Sequence, residues 1–213
     1  MAEIATVSKI STIVEYKSYI SQRSNSITTK ASGKIELLLK NVPDGIGVAY
    51  SSAEKVSGIL FVESVQTQTA SDLGNRYTAN ASWCGEFDNS LYDNVEYTLV
   101  LNISEIILGS EFNSSAEFNV AIIVNGVSIK ELHDSLISLE KSTKTIPESI
   151  NQINLGTFSK GQKLKLEYQV SAFTDGIERG ESSVSRFSVV GTVSSAPTVS
   201  MVIRTPSACD QRW

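Results

Sequence analysis

Residues 153–173 read INLGTFSKGQKLKLEYQVSAF. From Lys163 the stretch alternates: Leu164, Leu166, Tyr168 and Val170 fall on one side of an extended chain, and Lys163, Lys165, Glu167 and Gln169 on the other. A helix would place Leu164 and Leu166 about 200° apart around its axis, so only a strand sorts these residues cleanly. Lys160-Gly161 supplies the turn that starts it.

The same period runs outward in both directions. GKIELLLK (33–40) puts Ile35, Leu37 and Leu39 together, SGILFVESVQTQT (57–69) makes a second strand, and NVPDGIG (41–47) between them has the Pro and Gly of a turn. RYTANASWCGEF (76–87) and VEYTLVLNISEII (95–107) follow, separated by the loop DNSLYDN (88–94). In SSAEFNVAIIVNGVSIKEL (114–132) a strand breaks at Asn125-Gly126 and resumes. TDGIERGES (174–182) reads as a turn region before the strands VSRFSVVGTV (184–193) and TVSMVIRTP (198–206). Eight to ten short strands with no long intervening helices predict an all-β antiparallel sandwich or jelly roll.

Two segments depart from this pattern. KELHDSLISLEKS (130–142) sets Leu132, Leu136 and Leu139 at helical spacing and predicts one short helix. Residues 1–32 fit neither period well and are expected to form an N-terminal arm ordered against a partner or the body, with an edge strand plus loop as the alternative. A single domain then spans 33–213.

The composition narrows the function classes. Of 213 residues, 41% are hydrophobic and 19% charged, ordinary for a chain that folds. A net charge of −5 gives no general attraction for nucleic acid, and Lys9, Lys17, Arg23 and Lys30 are offset by Glu3 and Glu15. The interleaved charges of the first 22 residues give no secretory h-region, and no run suffices to span a bilayer, so cytoplasmic synthesis without membrane insertion is expected. Cys84 and Cys209 show no framework spacing and are expected to be free thiols.

No catalytic motif stands out. His133 is the only histidine, the glycines are scattered singly, and neither a metal nor a cofactor is expected. The loop around Asp88 and Asp93 gathers carboxylates and amides, but its spacing is not that of an EF-hand. Tyr77, Trp83, Phe87 and Tyr92 surround that loop in sequence. Tyr77, Trp83, Tyr92, Asp88 and Asp93 are therefore the candidate binding residues for a sugar or a protein epitope, and the alternative places Trp83 and Phe87 in the core.

The succession VEYTLVLNI, EFNVAIIVNG, INLGTFSKGQKLKLEYQV and SRFSVVG resembles the later strands of the C1q and tumour-necrosis-factor type jelly roll, with Asn125-Gly126, Gly161 and Phe187-Ser188 as the matching positions. The resemblance covers about residues 95–193. Gly161-Gln162 stands where many members have Gly-Asp, and there is no collagen-like stalk. Similar jelly-roll heads occur in bacteriophage fibre and virion proteins. The resemblance therefore implies a non-enzymatic virion structural protein, made in a host cytoplasm and acting in assembly or host-surface attachment, with other virion proteins and a host glycan or protein as partners. A carbohydrate-binding β-sandwich module and an icosahedral capsid subunit are the alternatives.

One strand asks for a further cover. In FNVAIIV, Phe118, Val120, Ile122 and Val124 share one face, while Asn119, Ala121 and Ile123 share the other. The core covers one face, so Ala121 and Ile123 are expected at a subunit interface, and the resemblance implies a homotrimer. An overlying N-terminal arm is the rival cover.

Overall fold

The period-two pattern is realised as strands throughout the described residues. A computed structural model describes residues 6–18, 24–31, 34–42, 45–69, 75–112, 114–176 and 182–197. Among the described residues there are fourteen strands: β1 (Thr6–Ser18), β2 (Ser24–Ala31), β3 (Lys34–Val42), β4 (Gly45–Glu54), β5 (Ile59–Thr69), β6 (Asn75–Asp88), β7 (Asn94–Ile103), β8 (Ile106–Glu111), β9 (Ser115–Val124), β10 (Val127–Ile137), β11 (Ser142–Ile146), β12 (Ser149–Ser159), β13 (Lys163–Gly176) and β14 (Ser182–Pro197). The expected strand at 198–206 and Cys209 lie outside the described residues.

From β5 onward the chain is a doubled ribbon. β5 pairs with β14, β6 with β13, β7 and β8 with β12 and β11, and β9 with β10, all antiparallel. Wrapping that ribbon brings β14 against β7 and β8, and β13 against β9. This arrangement of two facing sheets is a jelly roll. β4 and β3 extend one sheet beyond β5, and β1 and β2 extend the other beyond β6, giving the orders β11-β8-β14-β5-β4-β3 and β10-β9-β13-β6-β1-β2. Residues before Gly33, read as an arm, thus contribute two sheet strands, and β1 follows β6 from Thr6↔Glu86 to Ser18↔Asn75.

The count exceeds eight to ten partly because two paired strands of the ribbon are interrupted. The β7–β8 strand breaks at Ser104-Glu105, where the Ser104 hydroxyl accepts from the Ser188 amide at 2.9 Å. Its partner breaks at Pro147-Glu148, where proline has no amide to give the ladder.

The expected helix is corrected to strand β10, paired with β9 from Val127↔Val124 to Ile137↔Ser115. A spacing of four residues fits a period of two as well as one of 3.6. Leu132 and Leu136 share the inner face opposite Val120 and Ala116, while Leu139 lies beyond the strand and is 72% exposed.

Alternation sorts the core as expected. Leu164, Leu166, Tyr168 and Val170 are buried with Leu99, Leu101, Phe118, Val120, Ile122 and Phe187. One end of the interior is polar instead. Ser64 Oγ lies 2.7 Å from Thr174 Oγ1 across the sheets and donates to Tyr77 O, and Ser185 and Ser110 donate to the carbonyls of Glu117 and Ser114. These serines join the sheets where apolar packing gives way.

Candidate functional site

The acidic loop is built around Asn89. That side chain is buried, donates to the carbonyls of Tyr92 (2.9 Å) and Phe158 (2.8 Å), and accepts from the Tyr92 amide at 3.2 Å. The neighbouring turn is tied to the loop, with Gly161 N donating to Asn89 O, Lys160 N to Asp93 O and Asn89 N to Gln162 O. Gly161 has φ +82°, the left-handed conformation this turn needs. Asn89 is thus the organising residue, a role for which a loop with two asparagines, Asn89 and Asn94, offered no distinguishing signal.

The five candidate binding residues do not converge. Asp88, Tyr92 and Asp93 are exposed on the loop. Trp83 is buried, stacked on Tyr168, and its Nε1 donates to Lys55 O at 3.2 Å. Tyr77 is fully buried and lies eleven residues from Asp88 along β6, a separation of about 36 Å at strand rise. Phe87 joins Tyr97 and Phe158 in a chain of inward-facing rings, which leaves Tyr92, 46% exposed, as the aromatic presented by the loop. Among the described residues no three His, Cys, Asp or Glu side chains are grouped to hold a metal ion.

Ala121 and Ile123 lie half-buried on the outer face of the six-stranded sheet. Their cross-strand neighbours are polar: Gln169 and Glu131 flank Ala121, and Glu167 and Ser128 flank Ile123. The second apolar side of β9 is therefore two residues in a polar field, whose stems cover part of it. His133 lies on this face, its Nε2 3.8 Å from Glu117 Oε2 and its side chain 57% exposed. Cys84 is buried and forms no disulfide among the described residues.

No protein-family model matches the chain, and no curated protein matches it in sequence. Among the described residues no helix is long and apolar enough to cross a membrane.

Proposed function

We propose that the chain is a non-enzymatic structural protein of a virion, a bacteriophage particle in the reading the sequence favours, working by assembly and surface recognition. The observation that carries this is the wrapped ribbon β5–β14, an architecture recurrent in viral shells and in lectin domains. The support is analogy of architecture. Assembly would be into a homo-oligomer, a trimer by the C1q-like resemblance, with Ala121 and Ile123 at its contact.

Two measurements test the reading. Electron microscopy of particles made with and without this chain should show a missing or altered component, and unchanged particles would refute it. Light scattering should show an oligomer for the wild type and a monomer of unaltered β spectrum for Ile123→Glu, because an unpaired charge in a contact costs several kcal/mol. A monomeric wild type at micromolar concentration would remove the trimer.

A further inference from the structure

The outer face of the six-stranded sheet carries a trough of about 280 Å³ over β1, β6 and β13. It arises because small side chains occupy the middle of the face. Ser11 and Ser82 are opposite each other in register, as are Ser82 and Gln169, and Ile13 pairs with Asn80 in the adjoining row. Ala81 and Val170 send their side chains into the core and contribute main chain to the floor.

The lining has a definite chemistry. The Ser11 and Ser82 hydroxyls are hydrogen-bonded at 2.5 Å, and Gln169 Nε2 donates to Glu167 Oε1 at 2.8 Å, which fixes the carboxamide. Asn80 adds a second carboxamide, Ile13 an aliphatic wall, and no lining residue is basic. Hydroxyls and carboxamides both donate and accept, matching a ligand that does the same at every edge. Glu167 and the absence of a cation among the lining residues oppose phosphate, sulfate and carboxylate groups. The volume falls just below the usual range for drug-sized ligands, enough for a small ring. Phe173, further along the same face, has the Arg76 guanidinium 6.0 Å over its ring, so the aliphatic wall at Ile13 is the apolar contact on offer.

We infer that this trough binds a neutral sugar residue of a surface glycan, with Gln169, Asn80 and the serine hydroxyls addressing its hydroxyl groups. The inference deepens the surface-recognition half of the proposed function and moves recognition from the acidic loop to the sheet face.

Saturation-transfer NMR on the full chain tests it, using methyl glucoside, methyl galactoside, methyl mannoside, N-acetylglucosamine and N-acetylgalactosamine as probes and sialyllactose as the anionic comparison. At least one neutral sugar should receive saturation. Gln169→Ala should weaken it about tenfold, the effect of one lost directional hydrogen bond, and Ser82→Leu should abolish it by filling the trough. Thermal melts of both variants monitor folding, and Gln169→Ala, at a half-buried surface position, keeps the test open if Ser82→Leu unfolds. Transfer to no neutral sugar, equal binding by a folded Ser82→Leu, preference for sialyllactose, or a wild-type oligomer that shuts every sugar out would each overturn the inference. The assay uses the isolated chain, so absence from particles would sink the virion reading while leaving a positive sugar result standing.

Discussion

The Trp83 indole is stacked on the Tyr168 ring, centroids 5.1 Å apart and planes 21° from parallel, and both side chains end on the turn between β4 and β5. Trp83 Nε1 donates to Lys55 O and the Tyr168 hydroxyl donates to Gly58 O at 2.6 Å. Two adjacent strands of one sheet thus hold a turn of the other. Gly191 makes room for this, since a Cβ there would lie 2.8 Å from the Tyr168 ring.

Trp83→Ala is expected to cost about 3–5 kcal/mol, the range for emptying a buried aromatic site. Tyr168→Phe keeps the stack and strips one buried hydrogen bond, so it should cost about 1–2 kcal/mol. Urea titrations of both variants check the order; a Trp83→Ala protein as stable as wild type would remove the stack from the core.

Burial holds the Tyr168 phenol protonated well above its ordinary range. A folded-state pKa raised over the unfolded one means that this contribution is intact below about pH 10 and is lost as pH rises beyond it. Wild type should therefore lose stability more steeply than Tyr168→Phe on going to strongly alkaline pH. Ultraviolet titration should show at least one tyrosinate appearing only with unfolding.

The sandwich was legible because nearly every strand has one wet and one dry face, as Leu164 to Val170 show. The β9–β10 hairpin was legible because Asn125-Gly126 names its own turn, and both residues adopt positive φ. Strand β10 was not, because Leu132 and Leu136 satisfy two periods at once, and only pairing with Val120 and Ala116 decides between them. That two of the candidate binding residues, Tyr77 and Trp83, are buried was hidden for a related reason. Proximity in sequence to an acidic loop says nothing about depth, and Trp83 and Tyr77 occupy the inward positions of β6. The trough was invisible because its walls come from strands about 70 and 90 residues apart in sequence, joined only by register.

Asn89→Ala should cost about 2–3 kcal/mol, because it leaves the Tyr92 and Phe158 carbonyls without their amide donor. Asn89→Asp should be worse than its conservative appearance suggests, since it loses both donors and places a carboxylate at a buried position facing carbonyl oxygens. Limited proteolysis should show new cleavage in 88–94 and 159–162 for both variants. Unchanged protection would mean that the main-chain bonds alone hold the loop.

Asp134 on β10 and Lys144 on β11 join the edges of the two sheets at 2.6 Å. The hydrogen bond from Lys144 holds the Asp134 carboxyl below its usual range. A depressed folded-state pKa contributes stability above the unfolded value and loses it as pH falls through the folded one, so the effect vanishes in strong acid. Both side chains are more than a third exposed, so Asp134→Asn should cost under about 1 kcal/mol at neutral pH, less in high salt. Thermal melts at neutral pH and in strong acid should converge for wild type and variant at the acid end; a gap that persists there would assign the stabilisation to something other than this charge.

Gln66 poses the reverse case, a polar side chain whose removal should help. It is 1% exposed, and neither amide atom has a hydrogen-bond partner among the described residues. It lies in register with Ser183, whose buried hydroxyl is likewise without a partner among the described residues, and Ser183 is in register with Ser110. The amide thus sits at the polar end of the interior with its desolvation uncompensated, a penalty of about 1–3 kcal/mol in mutational series. Leucine is one bond shorter but of comparable bulk without the polar atoms, so Gln66→Leu should stabilise the fold by up to that amount, seen as a higher urea midpoint at unchanged slope. Gln66→Glu should destabilise it, with the loss growing as pH rises through the carboxylate range because burial opposes the charged form. If Gln66→Leu instead weakens the fold, the amide is satisfied by an internal water in the polar end, and the serine row is a hydrated channel between the sheets.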